Sequence, residues 1–448
     1  MIINKSSFLK ITAITSISVS FFLGYIFREN STGGGPEFYK LSWPIIQSFK
    51  ENFLYTIKNY GIFHDYTIPF SHIINAYLNP FSDVITNFQL SITIISFITF
   101  LIFALAVKRI FSSINFIDIL LTSSVFLLLP FFRTSAFWGK NENYGWLFLI
   151  LALYFFSKIK KDMHNNSKHV EILNIFFFCF TSACALYARQ ALAFLPISYF
   201  LYLFFNKANK KIIITSVISF SIFAIPSLLL IMIWGNVFDI KNQGSGSFFG
   251  WWINFSHIFK NFPILLSFWG FYLLPFLFIE LLNSNLKFIF NNYFKSFLFS
   301  LITFIFLLNM NLLDYLGEYT IAGGAILKVN YLIEKNNFLL LLVFSSIGFS
   351  ILVRLFKENP RNNATILLPI LVIYGFPNLL YQEYFEPLIL IIFFLALDTD
   401  MQKKYFNKIS LSNFVFISYF AIYLIGSIYF KHFAFDSYDK WKIFLNTQ

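Results

Sequence analysis

Four short polar clusters interrupt an otherwise apolar chain, and their residue types suit the handling of an activated anionic substrate. Two carboxylates come first. Glu37 follows the run Gly33-Gly34-Gly35-Pro36, and Asp65 sits in Phe63-His64-Asp65-Tyr66-Thr67-Ile68-Pro69-Phe70-Ser71-His72. A carboxylate held beside a hydroxyl acts as a general base; Glu37 is the first candidate for that role and Asp65 the second. A solvated loop carboxylate accounts for Glu37 as readily from the residues alone. His64, Asp65 and His72 lie close together, but no metal-ligand spacing joins them. No metal site is assigned, no cofactor is demanded, and a divalent cation is left open.

The cations form the complementary set. Arg133, Lys140 and Glu142 lie in a stretch where charges alternate with Phe137, Trp138 and Tyr144. Such a stretch suits an aromatic belt at a membrane surface and, equally, a pocket for a phosphorylated group whose charge two cations neutralise. Arg189-Gln190 stands between Ala188 and Ala191 with apolar runs on both sides. A cation so placed needs a partner, whether Glu37, Glu142 or an anionic ligand. Tyr381 and Glu383, in Tyr381-Gln382-Glu383-Tyr384-Phe385-Glu386-Pro387, fit a wall of the same pocket or a plain aromatic anchor. No phosphate-binding glycine loop occurs, so nucleotide-driven work has no support.

The elements that must position these groups are membrane helices. Hydrophobic residues make up 58% of 448 positions and charged residues 12%, with a mean hydropathy of +0.69. A soluble fold lacks the polar residues to cover so much apolar surface, whereas lipid tolerates helices apolar on every face. Spanning-length apolar runs fall at 8–27, 89–107, 113–131, 143–157, 172–188, 191–206, 212–234, 263–282, 297–314, 338–353, 364–377, 387–397 and 411–430. The expectation is an all-α polytopic membrane protein of about 13 transmembrane helices (11–13), read as a single domain over 1–448. The first run is read as a retained helix rather than a cleaved leader. Cys179 and Cys184 share one apolar run and read as inert core thiols.

Charge sets the orientation. If the N-terminus is inside, the short inner connectors carry 19 of the 33 Lys and Arg residues in 72 positions, as the positive-inside rule requires. The basic balance is then a topology signal, and nucleic acid is excluded as a partner. The four clusters fall on the outer side, together with the long segment 28–88. Its apolar residues (Trp43, Ile45, Ile46, Phe49, Phe53, Leu54) are too many for a disordered loop. That segment is expected to form a structured outer cap with interfacial helices.

These features resemble the GT-C superfamily of polyprenyl-phosphate-sugar-dependent glycosyltransferases, and fragments resemble the dolichyl-phosphate-glucose α-1,2-glucosyltransferases within it. Pro36-Glu37-Phe38-Tyr39 is similar to that family's opening Asp-Glu-Phe-His motif, with Pro36 where the Asp stands. Asp65-Tyr66-Thr67-Ile68-Pro69 is similar to its later loop motif, and Arg189-Gln190 to its Arg-Gln pair. Glu383-Tyr384-Phe385-Glu386-Pro387 is similar to its late Arg-Tyr-Phe-x-x-Pro stretch, with Glu383 replacing the Arg.

The resemblance implies an integral, multi-pass protein with a cytoplasmic N-terminus, in the inner membrane if the source is bacterial. It implies transfer of a sugar from a polyprenyl-phosphate donor to a lipid-linked or other glycan acceptor, at the outer face and among membrane lipid. Glu37 or Asp65 would deprotonate the acceptor. Arg189, then Lys140 and Arg133, would hold the phosphate, with Gln190, Glu142, His64, His72, Tyr381 and Glu383 completing the substrate site. Two other readings stay open: an O-antigen or polysaccharide polymerase, and a lipid-linked sugar transporter or flippase.

Overall fold

The computed structural model describes residues 5–32, 35–63, 65, 67–140, 142–164, 171–235, 257–310, 324–326, 329, 338–377 and 380–433. Among these the chain is helical and contains no strand. In chain order the helices used below are α1 (Lys5–Ile26), α2 (Trp43–Glu51), α3 (Phe53–Lys58) and α4 (Phe70–Tyr77). Next come α5 (Ile85–Ile110), α6 (Phe116–Ser123), α7 (Pro130–Phe137), α8 (Glu142–His164) and α9 (Ile172–Ala188). They are followed by α10 (Phe194–Phe205), α11 (Lys210–Trp234), α12 (Ile258–Leu282) and α13 (Leu286–Asn309), the last containing a π-helical stretch. The chain continues with α14 (Leu339–Glu358), α15 (Pro360–Ile373), α16 (Leu388–Leu395), α17 (Asp400–Asn407) and α18 (Ile409–Phe433).

Asparagine in the connectors starts many of these helices. The side chains of Asn52, Asn115, Asn209, Asn285 and Asn359 each accept a hydrogen bond from a first-turn backbone N–H, which satisfies an otherwise orphaned donor. Thr399 and Gln402 form a reciprocal capping box at the start of α17.

Among the described residues, seven helices are long and apolar enough to cross a membrane: α1, α5, α11, α12, α13, α14 and α18. The chain is therefore a multi-pass, all-helical membrane protein, and seven of the thirteen expected runs correspond to such helices among the described residues. The other six apolar runs differ for identifiable reasons. The run 113–131 is broken, since Phe116–Leu128 and Pro130–Phe137 meet at a bend of 70°; counted as one span, this pair makes eight. Leu129 is extended (φ −77°, ψ 119°), as the residue before a proline prefers. The run 143–157 continues into the polar turns of α8, with Lys158, Lys160, Lys161 and Asp162. Helices α9, α10 and α15 have 17, 12 and 14 residues, at or below spanning length. α16 has eight residues, all buried in protein.

The described residues gather into two compact units, residues 1–113 with 131–253 and residues 114–130 with 254–448. In the first unit, the segment between α1 and α5 is folded onto a core. Phe38, Ile45, Ile46, Phe49, Ile57 and Tyr60 are buried in one apolar cluster with Phe88, Tyr144, Ala188 and Trp234. Polar ties close it: Gln47 Nε2 donates to Ser82 O at 3.0 Å and Trp234 Nε1 to Ile57 O at 2.8 Å. The ring of Tyr60 stacks on Trp234 with centroids 5.8 Å apart. Other faces of the unit are apolar and uncovered, such as Met232 on α11, 79% exposed, which is the surface lipid requires.

In the second unit α12 is the buried centre. α12 and α14 meet backbone to backbone at Gly270 and Gly348, where an added Cβ would strike Phe344 O and Leu266 O. Beside them Ser345 Oγ donates to Pro263 O at 2.6 Å. Small residues that admit close helix approach replace the hydrophobic drive that lipid removes.

Candidate active site around the start of α8

The turn before α8 is held rigidly. α7 ends at Gly139 in the left-handed region (φ 66°), and Lys140 N donates to Ser135 O at 3.0 Å, a glycine-terminated helix end. A Cβ at Gly139 would lie 3.4 Å from Phe38 and press closely on Phe88, so glycine is needed for conformation and for space. Asn143 fixes the turn from the other side. Its Nδ2 donates to Ser135 O at 2.9 Å and Lys140 O at 3.0 Å, and its Oδ1 accepts from Ser96 Oγ at 2.9 Å. Lys140 is thereby turned back toward Gly35–Glu37, and its Nζ lies 2.6 Å from Glu37 Oε2. Lys140 is buried, while the Glu37 side chain is 49% exposed.

Arg189 reaches the same helix. Its peptide is extended between α9 and a 3-10 turn that begins at Gln190, and both side chains are buried. Its guanidinium carbon stands over the Trp146 ring, 4.6 Å from the centroid. A Cβ added to Gly145 would come within 3.3 Å of Arg189 Cβ. Glu142 occupies the first turn of α8. Its Oε2 is buried and has no hydrogen-bond partner among the described residues.

Asp65 is differently placed. Its Oδ2 accepts from Tyr60 OH at 3.1 Å and lies 2.9 Å from His72 Nε2, and its Oδ1 accepts from Thr67 N at 2.8 Å. Burial works to raise the Asp65 carboxyl, but the bonded His72 and the Thr67 N–H outweigh it and hold it below the usual carboxylate range. Burial, with Asp65 adjacent, pushes the Tyr60 phenol well above its ordinary value. One face of α4 carries His72 and Asn75, three residues apart, and Asn75 Oδ1 accepts from Tyr144 OH at 2.7 Å. The Asp65 network is thus tied to α8. His64 lies outside the described residues.

Comparison with protein-family models, curated proteins and solved structures returned no match.

Arg133 pairs with a carboxylate at the end of α1. Its Nε donates to Glu29 Oε1 at 2.9 Å and Oε2 at 3.1 Å, and its Nη2 donates to Ser20 O at 2.9 Å. This forked ion pair ties α7 to the end of α1. Glu29 went unremarked in the sequence because it stands beside Arg28 at a helix end, the ordinary place for solvated charge. Tyr381 and Glu383 belong to the second unit, both half-buried, with Tyr381 edge-on to Tyr384 at 5.5 Å. Their neighbours Gln382 and Glu386 are the buried pair. Glu386 Oε2 accepts from Tyr272 OH at 2.6 Å and Tyr423 OH at 2.9 Å, and Gln382 Nε2 donates to the same two hydroxyls at 2.6 and 2.8 Å.

Proposed function

We propose that the protein is a membrane glycosyltransferase that moves a sugar from a polyprenyl-phosphate donor to a lipid-linked or other glycan acceptor, on the face of the membrane away from the N-terminus. The observation that carries the reading is the shared core of the first unit. Phe38, Tyr60, Tyr144 and Ala188 lie in one apolar cluster, and each is bonded to, or within two residues of, one of the charged groups Glu37, Asp65, Glu142 and Arg189. Three carboxylates and one cation from four segments are therefore anchored to one apolar core, which supports a reaction that needs such groups close together.

The roles follow from charge and exposure. Arg189 and Lys140 neutralise the leaving phosphate as its charge develops. Glu37 is the base, because its half-exposed side chain is open to an incoming acceptor. Phosphate arrival competes with Glu37 for Lys140, so binding the donor frees the base. Asp65 is a poor base: three donors occupy it and its proton affinity is lowered. It orders the loop instead. One observation favours the transporter reading, the fully buried Glu280 in α12. Glu280 stands in the last turn of that helix and bonds Lys404 Nζ at 2.8 Å and Tyr293 OH, the setting of a helix-end brace rather than a moving charge.

The reading is tested in proteoliposomes supplied with radiolabelled polyprenyl-phosphate hexoses. The wild-type protein transfers sugar from one of them; Arg189→Ala lowers the rate by about 100- to 1000-fold. Arg189→Lys restores part of it, since charge survives and the planar fork does not. A wild-type protein that releases sugar from none of them overturns the reading.

A further inference from the structure

We propose that the turn between α10 and α11 holds the phosphate of an anionic glycerophospholipid through Lys207, Lys210 and Lys211. The site lies at the far end of α10 from Arg189 and does not rest on the transferase reading. Lys207 closes α10 in the left-handed region (φ 49°). Its N donates to Phe204 O at 3.1 Å, and Ala208 N donates to Leu203 O at 2.9 Å. Glycine or asparagine ordinarily takes that position, because a longer side chain there is strained. The lysine stands against the backbone preference, and an exposed helix end gains little from a cation.

Lys207, Lys210 and Lys211 are exposed, and none has an ion-pair partner among the described residues. A fixed charge stands beside them. Lys160 Nζ lies 4.6 Å from the Phe156 ring centroid on its own helix and 5.2 Å from that of Tyr202 on α10, so the end of α8 brings a further cation to the end of α10. The nearby carboxylates in sequence are Asp162 in α8 and Glu171 ahead of α9, and Glu171 Oε2 already accepts from Asn174 Nδ2 at 3.2 Å. Lysine therefore outnumbers carboxylate at this end of the unit.

The adjoining apolar surface selects a lipid over a free phosphate. Lys210, Ile214, Ile218 and Ile222 follow one another at intervals of four along α11, which places them on one stripe. The three isoleucines are exposed, and Ile225 and Leu229 continue the stripe. Phe204, one turn before Lys207, is exposed as well. An acyl chain covers the stripe while its phosphodiester meets the lysines at its head. Basic segments at a membrane surface attract anionic lipid in this way; a zwitterionic headgroup carries its own cation and gains less.

The test titrates three probes onto the full chain in detergent: short-chain phosphatidylglycerol, phosphatidylcholine with the same chains, and tail-less glycerol phosphate. Bound molecules are counted by native mass spectrometry. The wild-type protein binds phosphatidylglycerol more tightly than phosphatidylcholine and does not retain glycerol phosphate. Lys207→Gly weakens phosphatidylglycerol about fivefold and leaves phosphatidylcholine within about twofold. Its melting midpoint is unchanged or raised, because the strained side chain is gone. Lys210→Gln with Lys211→Gln weakens phosphatidylglycerol about 25-fold. Arg109→Gln, which removes an exposed cation at the end of α5, leaves it unaltered. A wild-type protein that does not discriminate the two lipids overturns the proposal. So does an Arg109→Gln loss equal to that of Lys207→Gly, which would mean a diffuse field, or a Lys207→Gly that only lowers the midpoint, which would mean a helix cap. Glycerol phosphate bound as tightly as phosphatidylglycerol also overturns it, in favour of a free phosphate ester.

Discussion

Gly348→Leu is expected to unfold the second unit under conditions where the parent protein is stable. A Cβ at Gly348 would strike Leu266 O and lie 2.8 Å from Gly270 N. The obstacle is backbone on the facing helix, which no rotamer change moves aside. α12 and α14 must separate, and Ser345 then loses its bond to Pro263 O, now 2.6 Å. Overpacking of this kind costs about 3 kcal/mol or more, and Gly348→Ala should already show a large part of it. The measurement is thermal unfolding in detergent followed by circular dichroism. Gly426→Ala is the control, because its Cβ would meet nothing within 4 Å; it should leave the midpoint unchanged or slightly raised. Equal midpoints for Gly348→Leu and the parent would refute the close helix contact.

Glu29→Ala carries the second large effect. Arg133 is 2% exposed and depends on Glu29 for its charge partner, with Phe21 and Phe137 rings 5.8 and 5.4 Å from its Cζ. Removing the carboxylate takes the Glu29 charge from a buried guanidinium that keeps its bonds to Ser20, at a cost of about 3–5 kcal/mol. The double variant Glu29→Ala with Arg133→Met removes both charges and should recover much of the loss. The same melting experiment reads both. A double variant less stable than Glu29→Ala alone would mean that the pair is not what Arg133 requires.

What could be read from the residues divides along physical lines. Long spans were legible: the runs at 8–27, 89–107 and 411–430 match α1, α5 and α18 closely, because twenty apolar residues admit few other structures. The run 387–397 was misleading, since an eight-residue helix buried in protein is as apolar as one in lipid. Arg189 and, after Lys140, Arg133 were both read as phosphate holders because each stood among aromatic or apolar residues. Only folding brings Glu29 to Arg133 and Trp146 to Arg189. In the stretch 381–387 Tyr381 and Glu383 were singled out, but Gln382, in the 3-10 turn Gln382–Tyr384, and Glu386 are the buried residues. The partner of Glu37, Lys140, was not legible, because their contact required the left-handed Gly139 more than a hundred residues later.

The central claim is that Glu37, and not Asp65, removes the acceptor proton. It is tested most directly by one assay of sugar transfer on two isosteric variants, with donor binding measured in parallel. Glu37→Gln should lose transfer by about 1000-fold while binding donor at least as well as the parent, since Lys140 is no longer paired. Asp65→Asn should keep most of its transfer at temperatures where it remains folded. Transfer at the parental rate by Glu37→Gln, with Asp65→Asn inactive though folded, would contradict the account.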